Sequence, residues 1–462
     1  MQFDTYTYAI FLPIVFLLYW ALRRRLAVQN VLLLAASYLF YGWWDWRFLR
    51  LIVLTSFSTY ATGLLMERGH KRLWAIVNIV LNLGILFTFK YFNFFADTFN
   101  AAVGTLGWHP SWPTLNLVLP VGISFYTLQA LSYTIDVYRG EVKPTRDAVA
   151  FFVYVGFFPQ LVAGPIERAS HLLPQLLSPR HFDYDEAVVG MRQILWGLAK
   201  KIIIADQLAG YVDYILYHPS ILAPGSVIMG ALLFAVQIYA DFSGYSDIAI
   251  GSARLLGIRL TANFRFPYFS RNMKELWQRW HISLMQWLRN YVYFPLGGSR
   301  RGTWRTCLNV LIVFFLSGLW HGASWNFIIW GVGNGLLMLP FVFKRAKKRD
   351  GEATWRDLPR CLWCFVASAA LFLVFRLPTM TDVADCLHVL AHGNYMAVPL
   401  GLSAWLYVIP FFVVEWLGRH REFPLQVLPM PTVARWAIYW GLLALIAYFS
   451  TGRDIQYIYF QF

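Results

Sequence analysis

One histidine stands alone in the most apolar part of the chain. From Leu308 to Phe343 there are 36 residues without Asp, Glu, Lys, Arg, Tyr or Cys, and His321 is the only side chain there that titrates near neutrality. An ionisable group inside a membrane-length apolar stretch is expensive to keep, so it is a functional candidate by default. Apolar surroundings favour the neutral imidazole, the form required of a general base or an acyl-transfer nucleophile. Gly318 and Gly322 flank it four apart, a spacing that lets a helix backbone or a thin substrate come close. The competing reading is a structural histidine bonded between helices, and the residues alone leave the two level.

A second histidine lies in a different setting. Residues 258–306 carry nine Lys or Arg and a single acid, Glu275. Trp277, Trp280, His281, Leu284, Trp287, Leu288 and Tyr291 recur at helical spacings of three and four (277/280/281, 284/287/288, 291), which puts them on one face of a helix. Arg271, Lys274 and Gln278 fall elsewhere. The pattern predicts one amphipathic helix at the cytoplasmic membrane surface, with His281 on its apolar side. His281 is then either part of a site or an anchor in the interface.

Other groups carry weaker signals. Gln237, Tyr239, Asp241, Ser243, Tyr245, Ser246 and Asp247 interrupt an apolar stretch, and Arg254 follows Asp247 by seven residues. The run reads either as an Asp247–Arg254 pair or as the wall of a hydrophilic tunnel. Cys361 and Cys364 form a CxxC with no second pair, which fits small buried side chains better than redox or zinc chemistry. Gly331, Gly333 and Gly335 are not a phosphate loop, because Leu336 occupies the third glycine position. His388 and His392 are four apart without an HExxH, and no metal is expected.

The elements that must position these residues are membrane helices. The chain is 58% hydrophobic and 14% charged, against about 25% charged in soluble domains. It is expected to be an all-α polytopic membrane protein forming one domain over 1–462. Candidate spans lie near 5–22, 30–44, 47–66, 73–95, 115–136, 188–216, 227–252, 324–343, 361–377, 401–418 and 433–450. The stretches 148–165 and 308–321 are broken by Pro or Gly and read as spans or re-entrant segments, so roughly eleven to thirteen are expected.

Net charge is +15, but the Lys and Arg residues sit in short loops between apolar runs. That distribution indicates positive-inside topology and contact with anionic lipid headgroups, not nucleic acid. Arg23–Arg25, Arg68, Lys71, Arg72, Arg419 and Arg421 are expected in the cytoplasm, as is the run Lys344, Arg345, Lys347, Lys348, Arg349. The segments 97–113 and 379–400 should face outward, with both termini. Asp4 precedes the first apolar core and Arg23–Arg25 follow it, the reverse of a cleavable signal, so this segment should stay in the membrane.

Longer motifs add a resemblance. The stretch from Phe314 to Gly331, FFLSGLWHGASWNFIIWG, resembles the hallmark of the membrane-bound O-acyltransferases. Leu119 to Gln129, Ser132 to Gly140, Phe158 to Arg168 and Tyr239 to Gly251 are similar to its bacterial branch. Trp277 to Leu284, Asn290 to Gly298 and the C-terminal Ile458 to Phe462 extend the likeness, which runs nearest to the membrane subunits of alginate O-acetyltransferases. D-alanyl transferases of teichoic acid modification are more distant.

The resemblance implies that His321 is the catalytic histidine, as base or acyl carrier, and His281 the second histidine of the family pair. It implies a ring of helices around a thinned centre with a tunnel. An acyl group, acetyl first among the options, would pass from a cytoplasmic thioester to a periplasmic SGNH-type acetyltransferase that modifies an exopolysaccharide. The donor is expected to be acetyl-coenzyme A or an acyl carrier thioester, with no permanently bound cofactor. Trp277, Arg279, Trp280, Arg289, Asn290, Asp241, Ser243, Tyr245, Trp320 and Asn326 are the candidates for binding the donor or lining the tunnel. Rival readings are transfer of D-alanyl or another acyl group to an envelope polymer, a transporter, and a docking scaffold. A transporter often shows internal repeats, and none is visible.

Overall fold

A computed structural model describes residues 1–107, 114–162, 164–217, 223–343, 351–450 and 457–458. They form helices α1 (Tyr6–Ala21), α2 (Leu26–Gly42), α3 (Trp46–Arg68), α4 (Lys71–Gly104), α5 (Ile123–Arg139), α6 (Ala148–Leu161) and α7 (Ala169–Leu177). Next come α8 (Tyr184–Leu216, with a π-helical turn at Ala199–Ala205) and α9 (Pro224–Leu255). The short α10 (Met273–Arg279) and α11 (Ile282–Leu288) precede α12 (Thr303–His321), α13 (Trp325–Phe343), α14 (Trp355–Arg376), α15 (Met380–His392), α16 (Leu402–Gly418) and α17 (Thr432–Phe449). Seven of them are long and apolar enough to cross a membrane, and four more are shorter apolar helices. Among the described residues there is no strand, as the composition predicts.

Helix α9 is the spine, with 83% of its most apolar stretch buried inside the protein. Its closest neighbour is α8, and glycines set the distance: a Cβ on Gly197 would lie 2.6 Å from the Gly244 carbonyl oxygen, and one on Gly190 2.8 Å from that of Gly251. The π-helical turn of α8 aims two buried lysines into this seam. Lys200 pairs with Asp247 at 2.6 Å, and Lys201 with Asp206 at 2.8 Å and Asp241 at 3.0 Å. These pairs explain how a charged segment is tolerated in an apolar bundle.

Three expectations change in detail. The stretch 115–136 becomes helical only at Ile123, because Gly122 takes a left-handed turn (φ 76°) hard against the Leu161 carbonyl. The amphipathic helix expected across 277–291 is broken into α10 and α11, since His281 itself adopts φ 43°. Arg254 does not pair with Asp247; it reaches Glu422 and Glu186 instead. The basic run from Lys344 to Arg349 lies outside the described residues. Cys361 and Cys364 are buried thiols against the Phe269 carbonyl and the Met273 sulfur.

Candidate active site

Helices α12 and α13 form a tight hairpin, and His321 is the last residue of its first arm. A Cβ on Gly318 would stand 2.2 Å from the Phe327 carbonyl oxygen, and one on Gly331 2.3 Å from that of Phe314. The glycine at 318 therefore serves close helix packing. Ser324 caps the second arm through the Asn326 amide at 3.3 Å.

The His321 ring is buried and contacts Trp320, Trp330 and Phe375, with ring centroids 4.9, 5.0 and 5.3 Å away. His281 is also buried, and its centroid lies 5.6 Å from that of the Trp320 indole. One indole thus touches both histidines, although they are 40 residues apart. Phe125 of α5 closes the same group, 5.2 Å from Trp320 and 6.4 Å from His281.

The carbonyl end of α12 is held by residues that the sequence reading passed over. Lys90 donates to the Trp320 carbonyl at 2.6 Å, to the His321 carbonyl at 3.1 Å and to Ser124 Oγ at 3.2 Å. The neighbouring Tyr91 hydroxyl donates to the Leu319 carbonyl at 2.9 Å. Helix C-termini leave such carbonyls without internal partners, and a cation there is favourable. Both residues occupy a π-helical turn, Phe87–Tyr91, within α4. Their signal was available: Lys90 is the only charged residue between Arg72 and Asp97.

Two cavities lie against helices or loops that lead to this centre. The smaller, about 130 Å³, is lined by Lys200, Ser243, Asp247 and Glu415 and reaches Asn263, whose Oδ1 lies 3.1 Å from His281 Nδ1. The larger, about 690 Å³, is lined by Arg139, Arg168, Arg300, Glu141, Asn290 and Ser299. Arg168 is partly committed to Asp136 and Glu141, both at 3.3 Å. Helices α5 and α11 both lead from the aromatic group toward this larger cavity. The rise of α5 from Phe125 to Arg139 is about 21 Å at ~1.5 Å per residue.

The remaining candidates take varied places. Trp320 sits between the histidines, Ser243 lines the smaller cavity and Asn290 the larger. Trp277 packs on Phe314 and Trp330, and Trp280 on Phe264 and Phe372, as walls of the core. Arg289 is exposed. Arg279 binds Glu275 at 3.0 Å and Glu352 at 2.6 Å. Burial works to raise the Glu275 carboxyl, but its bonds from Arg271 and Arg279 outweigh that and hold it below the usual range. Asn326 is occupied by the Val374 and Leu377 carbonyls at the end of α14. Asp241 and Tyr245 line neither cavity: Asp241 holds Lys201 and the Ile458 amide, and Tyr245 donates to Asp4 and stacks on Tyr457.

Comparison with known proteins now decides the family. Residues 143–349, which include both histidines, match "MBOAT, membrane-bound O-acyltransferase family". The chain is 40% identical over 383 residues to the "Probable alginate O-acetylase AlgI" of Azotobacter vinelandii, covering 81% of this chain and 74% of that one. The chain belongs to the membrane-bound O-acyltransferases. It is 38% identical to the protein of the same description in Pseudomonas putida, covering 91% of this chain and 88% of the other. The "Peptidoglycan O-acetyltransferase" of Helicobacter pylori is 35% identical over 361 residues, 71% of this chain and 68% of that one. As a member of this family it is a multi-pass membrane enzyme that transfers acyl groups to oxygen. The hairpin that carries His321 and the broken helix that carries His281 both fall within the matched region of this acyltransferase.

Proposed function

We propose that this O-acyltransferase takes an acetyl group from a cytoplasmic thioester and delivers it across the bacterial inner membrane to a periplasmic acceptor. His321 acts as general base. It removes the proton of the attacking hydroxyl, the oxygen bonds to the thioester carbonyl carbon, the C–S bond breaks, and the proton goes to the leaving thiolate. No proton is gained or lost overall, and only the small acyl group has to cross. His281 and Trp320 orient the thioester beside His321.

The observation that carries this reading is the pair of buried histidines on one indole. The larger, arginine-lined cavity supports it, because helix α5 leads from the indole to that cavity. Arginine suits phosphate through paired, planar hydrogen bonds. A phosphate-bearing donor, coenzyme A or a carrier protein's thioester arm, therefore fits with its charged end among Arg139, Arg168 and Arg300. The names of the alginate O-acetylase relatives favour acetyl as the group and an exopolysaccharide such as alginate as its destination. An SGNH-type acetyltransferase in the periplasm is the partner that receives it, with both termini of this chain on that side.

The experiment is turnover of acetyl-coenzyme A by purified protein in nanodiscs with the SGNH-type acetyltransferase present as hydroxyl acceptor, followed by thiol release. His321→Ala should lower the rate by about 100-fold or more, with the elution profile and thermal melt of the wild type. A fully active His321→Ala protein would rule the base out.

A further inference from the structure

We infer that Asn263 is a positioning residue for this reaction: it sets which nitrogen of His281 carries the hydrogen and leaves Nε2 as an open acceptor for a substrate N–H or O–H. The inference rests on the function proposed above.

The side chain of Asn263 is 1% exposed and its orientation is not free. Its Oδ1 accepts from Ser283 Oγ at 2.9 Å and from the Ser283 backbone N–H at 3.4 Å. A backbone N–H can only donate, so the amide atom facing it is the oxygen. The other amide atom, Nδ2, then donates to Ser246 Oγ at 3.3 Å. His281 Nδ1 lies 3.1 Å from the same Oδ1 and must bear the hydrogen to bond with it. In a neutral imidazole that makes Nε2 the acceptor.

No described residue donates to His281 Nε2, and the ring is 1% exposed. Its surroundings are aromatic: Phe242 at 4.8 Å, Trp320 at 5.6 Å, Phe125 at 6.4 Å and Phe264 at 6.5 Å between centroids. A buried acceptor without a donor is costly. The backbone of His281 adds a second cost, since φ 43° is unfavourable for any residue with a Cβ. Asn263 also holds that strained turn, accepting the Ile282 amide on its own carbonyl at 2.9 Å. Strain and an open lone pair together mark a ring kept for a hydrogen that arrives with the substrate. Two titratable groups, His321 and Lys90, meet the same Trp320 indole, and Lys200, Asp247, Arg254, Glu415 and Glu422 line the smaller cavity. Those five are already engaged: Lys200 with Asp247, Arg254 with Glu422, and Glu415 with the Tyr239 hydroxyl.

Two readouts test this. Nitrogen-15 histidine spectra of the protein in nanodiscs, assigned by difference with His281→Gln, should show His281 neutral with its hydrogen on Nδ1. Asn263→Ala should convert it to a mixture. In acetyl-coenzyme A turnover, Asn263→Ala should lower kcat at least ~10-fold with little change in KM. Asn263→Asp keeps an acceptor for Nδ1–H, so it should recover part of the loss. Its negative charge favours the imidazolium, so the acid limb of the pH profile should move to higher pH. A hydrogen on Nε2 in the wild type overturns the inference, as do equal losses in both variants with an unmoved limb. Absence of thioester turnover in the wild type counts against the proposed function instead, and the nitrogen spectra still decide the role of Asn263.

Discussion

At the scale of single residues, His321 is positioned through its backbone as much as its ring. Lys90 supplies bonds to the last two carbonyls of α12, and Tyr91 supplies the one before. Removing the Lys90 amine leaves two carbonyls short of a donor, and each such bond contributes about 0.5–1.5 kcal/mol. Lys90→Met should therefore lower the melting temperature and, by releasing the end of α12, reduce kcat. Displacements near 1 Å cost catalysis on the order of 100-fold. Lys90→Arg retains donors and should fall between Lys90→Met and wild type. Equal kcat in all three would show that the clamp has no bearing on turnover. The sequence made His321 visible because it is the only titrating group in its stretch. Lys90 is likewise the only charged residue in 73–95, a stretch that hydropathy marks only as a span.

At the scale of elements, the α12–α13 hairpin depends on two glycines, Gly318 against the Phe327 carbonyl and Gly331 against that of Phe314. Gly331→Ala puts a methyl 2.3 Å from the Phe314 oxygen, where only backbone movement can relieve it. Overpacking of this kind costs about 1–3 kcal/mol, so the melting temperature should fall and turnover with it. Gly441→Ala meets nothing within 4 Å and serves as the control; equal melts for the two variants would contradict this account. A second element contact is sensitive to pH. Glu167 accepts from the Thr261 amide and from His171 Nδ1, the latter at 2.6 Å, tying α7 to the segment before α10. That bond raises the half-exposed His171 above its ordinary 6.5, against the opposing effect of burial. The histidine therefore stabilises fully below pH 6.5, and the gain fades as pH rises through the raised value. Melts at pH 6 and 8 should differ more in wild type than in His171→Gln. Hydropathy and three–four spacing made most helices legible. They could not register a break that depends on one residue's φ at His281. Nor could seven-residue spacing show that Asp247 pairs across helices with Lys200, because spacing carries information only within an element.

At the scale of the whole molecule, the chemistry is buried while the strong positive charge lies at its approaches. Both helices leading from the indole end near the large cavity, and under the proposed function the three arginines there would gather a phosphate-bearing donor and hold it while its thioester reaches the histidines. Arg168 is compensated by Asp136 and Glu141, and Arg139 lies 3.7 Å from Glu141. Arg300 has no acidic partner among the described residues, so it is the cation with most to offer a ligand. Arg300→Glu should raise KM for acetyl-coenzyme A about 10-fold, equivalent to ~1.4 kcal/mol of binding, and leave kcat nearly unchanged. The wild-type KM should also rise with salt, since exposed charges are screened beyond about 10 Å at 0.1 M ionic strength, and the variant should lose most of that dependence. S-acetylpantetheine lacks the phosphates and should respond to neither change. If Arg300→Glu affects both thioesters equally, the cavity acts on the shared arm or on the fold, and the phosphate end of the donor must be sought elsewhere on the molecule.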